Sequence, residues 1–306
     1  MSSVTKRPDS IKMEWPGSAP LAICLTHDVD RVRKTKFHSI YYFLKERKLH
    51  HMRSFLKGEE AYWNFDKIIE IEKKHDVRST FFFLNEQDLF KDRPSTSILK
   101  PSEWVLYYSS YRVAGPAVAE VIRRLDRESW EIGLHGSYQS CEKGYLIRRE
   151  KQTLEAVLGH KIVGVRQHYL RLNIPDTWNL QREAGFDYDS SYGPHQAVET
   201  RIEWISPFHP FNTDFIVIPV TIMDGYLFST CGNDANLAWE RCLEILKWTR
   251  KNHGVVTVLW HSQRFNEQEF PRWPKIYEKI IVEGKKMNAW IATARQVYEA
   301  LDHVAE

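Results

Sequence analysis

The stretch Leu21-Ala22-Ile23-Cys24-Leu25-Thr26-His27-Asp28-Val29-Asp30 sets the fold, because an apolar run passes directly into charged side chains. Apolar runs of this length are typical of strands buried on both faces. We therefore predict a strand over residues 21–26. Two carboxylates and an imidazole follow it, which indicates a functional site at its carboxyl end.

The same pattern of short apolar runs separated by amphipathic segments continues along the chain. Further strands are predicted at 80–84, 130–134, 162–166, 186–189, 215–220, 255–260 and, with a weaker pattern, 288–292. Helices are predicted at 37–57, 64–75, 116–127, 144–158, 176–184, 234–252 and 274–285. Buried strands that alternate with helices predict a parallel sheet. The fold class is therefore α/β, a distorted (β/α)7-8 barrel.

Length and composition favour one enzyme-sized domain. The 306 residues contain no repeat or linker, so we expect a single barrel domain over 1–306 with its core at about 20–295. Two long segments, 85–115 and 190–214, follow strands and are expected to cover the site. The aromatic content of 13% fits a carbohydrate cleft and equally fits an aromatic core.

Charge and cysteine usage exclude several classes of protein. A net charge of +3 does not favour nucleic-acid binding. The amino-terminal residues lack the apolar segment of a secretory signal, and no apolar run is long enough to span a bilayer. The four cysteines form no paired motif, so we expect reduced thiols in a cytoplasmic protein. The sequence does not indicate the oligomeric state.

Ionisable side chains follow several other predicted strands. They include His135 after the third strand, Arg166 and His168 after the fourth, Asp189 in the fifth and His261 after the seventh. The carboxyl ends of parallel barrel strands meet at one mouth, where barrel active sites form. Each residue alone has a structural alternative, such as a helix cap, a stabilising ion pair or a buried histidine. Their common placement favours a shared catalytic site.

The order of these motifs resembles the polysaccharide deacetylase family (carbohydrate esterase family 4), which includes the rhizobial chitooligosaccharide deacetylases. Thr26-His27-Asp28-Val29-Asp30 stands where the family has Thr-Phe-Asp-Asp-Gly, and His135-Gly-Ser-Tyr-Gln139 where it has His-Ser/Thr-x-x-His. Arg166, the segment 187–189 and Leu259-Trp260-His261 match its later motifs in order. The resemblance covers about residues 20–295.

The resemblance implies a role for each matched residue. Asp28 would be the general base, Arg166 would orient it, and His261 would be the general acid. Asp30 and His135 would hold a divalent metal, expected to be zinc. The chemistry is consistent, because a metal polarises an amide carbonyl while a carboxylate and an imidazole move protons.

The sequence departs from the family pattern in two places. Val29 separates the two aspartates, and Gln139 replaces the second histidine of the second motif. An amide oxygen is a poor zinc ligand beside imidazole. The metal would be held by Asp28 or Asp30 with His135 and a substitute such as His27 or His168, or no metal is bound. Gln139 and Asp189 remain additional site candidates.

The expected function is hydrolysis of an N-acyl group, acetyl or formyl, from a sugar. The expected substrates are an N-acylated sugar, a nucleotide sugar or a lipid-linked glycan in surface polysaccharide biosynthesis, with no nucleic acid involved. One alternative is a metal-independent hydrolase of another C–N bond, in a cyclic amide or ureide. Others are a catalytically inactive glycan-binding barrel and, ranked lowest, a phosphoesterase.

Overall fold

The structure is a computed structural model that describes residues 13–34, 47, 61–86, 111–194 and 200–302. The predicted helix over 37–57 lies outside these residues, apart from the single position 47. The strands are β1 (Ala22–Val29), β2 (Thr80–Leu84), β3 (Glu131–Gly136), β4 (Gly164–Gln167), β5 (Tyr188–Asp189), β6 (Ile216–Val217), β7 (Ile222–Met223), β8 (Val255–Leu259) and β9 (Trp290–Ala292). The helices are α1 (Phe65–Lys74), α2 (Pro116–Arg127), α3 (Gly144–Leu158), α4 (Asp176–Glu183), α5 (Asp224–Thr230), α6 (Ala235–Lys251), α7 (Trp273–Lys286) and α8 (Ala294–Asp302).

All the strands belong to one parallel sheet with the order β6-β5-β4-β3-β2-β1-β8-β7. Strand β9 pairs with the first half of β1, and β2 pairs with its second half. The sheet curls into a half-barrel with helices outside it, which confirms the predicted α/β distorted barrel. One strand was predicted over 215–220, where the structure has the short strand β6, and strand β7, which follows outside that segment, was not predicted.

Strand β1 places its side chains alternately toward the barrel interior and toward the helices. Ala22 and Cys24 belong to the apolar cluster inside the barrel, together with Phe82 of β2. Ile23 and Leu25 belong to the larger cluster between sheet and helices. Because strand side chains alternate, Asp28 lies on the interior face and His27 on the helix face.

The helices cover the sheet as the amphipathic patterns predicted. Helices α2 and α3 have the predicted bounds, while α5 and α8 were not predicted. The apolar sides of the covering helices join the sheet in one cluster that contains Phe65, Ile122 and Ile280. None of the helices in the described ranges is both long and apolar enough to cross a membrane.

Candidate active site

The carboxyl ends of β1, β3, β4 and β8 surround one pocket of about 400 Å³. Its wall includes five of the residues that follow predicted strands. These are Asp28, Asp30, His135, His168 and His261. The converging geometry predicted for parallel strands is therefore present at this end of the barrel.

Arg166 fixes the carboxylate of Asp28. Its Nη1 donates to Asp28 Oδ1 at 2.8 Å and to Thr26 Oγ1 at 2.7 Å. Its Nε and Nη2 donate to the carbonyl and hydroxyl oxygens of Ser190. The guanidinium is fully buried and lies over the ring of Phe82. Asp28 therefore keeps one oxygen tied to a cation, and its Oδ2 lies 3.6 Å from His135 Nε2.

Asp30, His135 and His168 form the group that can hold a metal ion. Asp30 Oδ1 lies 3.2 Å from His135 Nε2 and 3.9 Å from His168 Nε2. Asp28 and Asp30 are two residues apart, so an extended chain presents both on one face. Val29 thus keeps both carboxylates at the pocket.

The protonation geometry of this group favours a cation. His135 Nδ1 must donate to the Arg166 carbonyl at 2.9 Å, so Nε2 of the neutral ring turns a lone pair toward two carboxylates. Burial lowers the pKa of His135, but Asp28 and Asp30 outweigh it and raise that pKa. Burial raises the pKa of Asp30, but His261, His135 and His168 hold it well below its usual range. One carboxylate and two imidazoles fit a zinc site with an open position.

His168 is held in an uncommon backbone setting. The two residues that follow it, Tyr169 and Leu170, have φ values of 60° and 51°, which is the left-handed region. The Tyr169 ring stacks on the His168 ring with centroids 4.2 Å apart. On its other edge, His168 Nδ1 lies 3.7 Å from Glu86 Oε2. At this distance Glu86 makes an ion-pair contact and not a hydrogen bond, and His168 Nδ1 has no hydrogen-bond partner within the described residues.

His261 stands on the opposite side of Asp30. Its Nε2 lies 3.5 Å from Asp30 Oδ2, and its Nδ1 lies 2.8 Å from Asp224 Oδ1. Asp224 Oδ2 also accepts the backbone N–H of His261 at 2.8 Å, so both oxygens orient this residue. Burial lowers the pKa of His261, but Asp224 and Asp30 outweigh it and raise the pKa to about 9. The imidazole ring is therefore protonated on both nitrogens at neutral pH.

Three of the candidates from the sequence lie away from this group. His27 faces the helix layer, where Nδ1 contacts the Trp260 carbonyl and Nε2 contacts Glu72 Oε1 at 2.9 Å. Gln139 Oε1 accepts from Lys143 Nζ at 2.6 Å, outside the pocket wall. Asp189 is fully buried beneath Trp178, Gln181 and Ser191, which donate to it.

Asp224 and Glu86 are functional candidates that the sequence analysis did not single out. Both follow a strand, Asp224 directly after β7 and Glu86 two residues after β2. The signal was the same as for the other candidates, an ionisable residue at a strand end. Asp224 could not be recognised by this signal, because a strand of two residues is too short to show an alternating hydrophobic pattern in the sequence.

No protein-family model and no curated protein matches the sequence. Solved structures do match over nearly the whole chain. One, assigned as a polysaccharide deacetylase from Mycobacterium smegmatis, has a TM-score of 0.64 at 20% identity, covering 98% of this chain and 94% of that one. The chain has the polysaccharide deacetylase fold. Another such structure, from Pseudomonas aeruginosa PAO1, has a TM-score of 0.62 at 15% identity, covering 95% and 93%.

The polysaccharide deacetylase fold is not restricted to one reaction. The structure of Puue allantoinase matches with a TM-score of 0.63 at 14% identity, covering 98% of this chain and 97% of that one. Identities this low establish the fold alone. The side chains at the pocket must therefore distinguish the reactions.

Proposed function

We propose that this chain is a metal-assisted hydrolase that removes an acetyl or formyl group from the nitrogen of a sugar. The observation that carries the proposal is the pairing at the pocket. Asp28, bound to Arg166, lies 3.6 Å from His135 Nε2, and His261, bound to Asp224, lies 3.5 Å from Asp30 Oδ2, so each contacts a different member of the Asp30, His135 and His168 group. A base and an acid that contact different members of a metal-binding group suit hydrolysis of an amide.

Asp28 is the proposed general base. Arg166 binds its Oδ1, which leaves Oδ2 to accept the proton of an attacking water. The ion pair with Arg166 is fully buried and anchored by Ser190 and Thr26, so the carboxylate is fixed in direction. A fixed base needs little reorganisation when the water attacks.

His261 is the proposed general acid. An amine is a poor leaving group until it gains a proton, so amide cleavage needs a donor near the nitrogen. Asp224 fixes the ring through Nδ1 and leaves Nε2 toward the pocket. The same arrangement of carboxylate, imidazole and substrate operates in hydrolases with a catalytic triad.

Asp30, His135 and His168 are the proposed ligands of a divalent ion, taken as zinc because the donors are nitrogen and carboxylate oxygen. When bound, such an ion supplies Lewis-acid polarisation of the acyl carbonyl. His168, contributed by the segment after β4, takes the place that the family motif gives to the residue matched by Gln139. The protein's own residues then carry the two proton transfers.

The proposed substrate is an N-acylated sugar, free or as a nucleotide-linked or lipid-linked glycan, in the biosynthesis of a surface polysaccharide. The expected location is the cytoplasm. Support comes from the shared fold with proteins assigned as polysaccharide deacetylases. The ring of Tyr169 in the pocket wall is exposed and offers apolar surface for a sugar ring.

The test is release of acetate or formate from a panel of N-acyl sugars by zinc-loaded protein. Asp28→Asn keeps the size and the hydrogen bond to Arg166 but removes the proton acceptor, so turnover should fall on the order of 100-fold or more. Asp176→Asn, at the start of α4 and outside the pocket, is the matched control and should keep full turnover.

Four outcomes would contradict the proposal. Turnover that survives in a folded Asp28→Asn protein would show that Asp28 is not the general base. Turnover that survives thorough chelation would show that the reaction needs no metal. Hydrolysis of a cyclic amide or ureide, with no acyl release from any sugar, would indicate the alternative function, a hydrolase of another C–N bond. Glycan binding with no hydrolysis at all would indicate an inactive glycan-binding barrel.

A further inference from the structure

Arg264 lines the candidate active-site pocket but has no part in the proton transfers. It belongs to the short turn Ser262–Phe265 directly after His261. Its guanidinium carbon lies 4.9 Å from the ring centroid of Phe270 and 4.8 Å from that of Trp273. Contact with two aromatic rings restricts the orientation of the guanidinium. Its N–H groups point away from the ring faces and need hydrogen-bond acceptors.

The hydrogen-bonding capacity of Arg264 is not met by the residues that the structure describes. Within the described residues its side chain donates no hydrogen bond, and its Nε is buried without an acceptor. Its one ion-pair contact there is Asp224 Oδ1, 3.6 Å from Nε. Asp224 already accepts two hydrogen bonds of 2.8 Å from His261. The buried Nε cannot itself reach a ligand. The terminal nitrogens of this pocket-lining side chain also lack an acceptor within the described residues, and they are the donors that an external acceptor can meet.

Arg166 in the same site shows the contrasting case. It donates four hydrogen bonds, to Asp28, Thr26 and both oxygens of Ser190, so four of its five N–H donors are occupied. A guanidinium offers five N–H donors, and four of those of Arg166 have an oxygen acceptor in the protein. Arg264 has the same capacity, a position on the pocket wall, and none of these contacts.

The acidic residues of the pocket wall do not neutralise Arg264, because each has a different partner. Asp28 binds Arg166, and Asp30 lies among His135, His168 and His261. Glu269 binds Lys34 Nζ at 2.6 Å, with both side chains almost fully buried. In the part of the chain that the structure describes, Asp224 is the one carboxylate within 4 Å of an Arg264 nitrogen, and it is shared with His261.

We propose that Arg264 binds an anionic group of the substrate, a carboxylate or a phosphate. The proposal rests on the N-acyl sugar hydrolase function and names the substrate class as an acidic N-acyl sugar. A planar guanidinium binds both anions through paired N–H donors. Because Arg264 and His261 contact the same carboxylate, the anionic group belongs to the amine part of the substrate, on the leaving-group side of the amide.

The test compares binding of charged and neutral sugars by calorimetry, with zinc-loaded protein. The probes are N-acetylglucosamine, N-acetylglucosamine phosphate and N-acetylmuramic acid, which carry no charge, a phosphate and a carboxylate. Wild type should bind at least one charged probe roughly 10- to 100-fold more tightly than the neutral one. Arg264→Gln should lose this preference, and Arg264→Lys should keep part of it.

Arg182→Gln is the matched control, since Arg182 also lies over an aromatic ring, that of Phe211, but outside the pocket. It should bind all three probes as wild type does. Wild type that binds charged and neutral probes equally, or binds none of them, would overturn the proposal. So would a folded Arg264→Gln protein that keeps the preference. Anion-selective binding without acyl release would contradict the hydrolase function alone.

Discussion

Replacement of His261 by Gln is the most direct test of the reaction type. Gln keeps a polar side chain with a neutral N–H donor in place of the ring, whose Nδ1 lies 2.8 Å from Asp224 Oδ1 in the wild-type protein. What disappears is the proton that the ring holds toward the pocket, 3.5 Å from Asp30 Oδ2. General-acid catalysis contributes about 100-fold or more, so turnover of an N-acyl sugar should fall by at least that factor, about 2.7 kcal/mol of barrier.

An activated aryl ester should respond differently to the same change. Its aryloxide leaves without protonation, so the loss of the acid should reduce its hydrolysis by less than about tenfold. The assay measures kcat/KM for an N-acetyl sugar and for para-nitrophenyl acetate with the same protein. The two rate ratios should diverge by at least about tenfold.

A matched variant and a melting curve separate catalysis from folding. His209→Gln changes a half-buried histidine whose Nδ1 lies 3.3 Å from the Phe215 carbonyl, outside the pocket. It should leave both rates unchanged. Equal losses for amide and ester in His261→Gln, accompanied by a lower Tm, would refute the acid assignment and weaken the hydrolase proposal.

Three further predictions follow from contacts of the site and its surroundings. Asp224→Asn should lower N-acyl sugar turnover by roughly 100-fold or more, because a neutral amide cannot stabilise the imidazolium of His261; steady-state rates within about twofold of wild type would contradict it. His168→Ala should reduce bound zinc from about one ion per chain to less than about half after dialysis, measured by elemental analysis, while Gln139→Ala keeps the wild-type amount; equal zinc in both variants would remove His168 from the ligands. Burial raises the pKa of Glu150 from 4.5 to about 8, so the folded protein holds a proton there that the unfolded chain releases between those values. Stability should therefore fall as pH rises across that window, by up to about 1.4 kcal/mol per pH unit, and Glu150→Gln should remove this part of the slope in urea unfolding; an unchanged slope would show that Glu150 is ionised in the folded state.

The regular part of the fold was predictable because its periodicity is strong. Strand β2 consists of the predicted residues 80–84, and the long helices α2 and α3 have repeating apolar faces over several turns. Strand β7 and helix α5 were not predicted, because the strand has two residues and the helix seven. Segments this short contain less than a full pattern, and tertiary contacts decide their structure.

The site was predictable where a strand end alone decides position. Asp28, Asp30, His135 and His261 lie at or just after the carboxyl ends of strands, and the structure brings them to one pocket. The identity of the third candidate metal ligand depends on the direction of its side chain as well as on its position in the sequence. His27 precedes Asp28 in the chain but faces the helices, whereas His168, distant in sequence, reaches Asp30. Neighbours in sequence are thus separated by the pleat of the strand, and sequence spacing alone cannot show which face is used.

The two-residue spacing of Asp28 and Asp30 restricts how such a chain can change over evolution. Loss of Val29 would make the aspartates adjacent, and the second would then point to the helix side of β1, where Leu25 packs. A carboxylate buried there without donors would cost several kcal/mol. A single deletion or insertion therefore cannot convert one spacing into the other while the strand stays extended. The alternation of the strand therefore makes the position of the second carboxylate depend on the presence of the residue between the two aspartates.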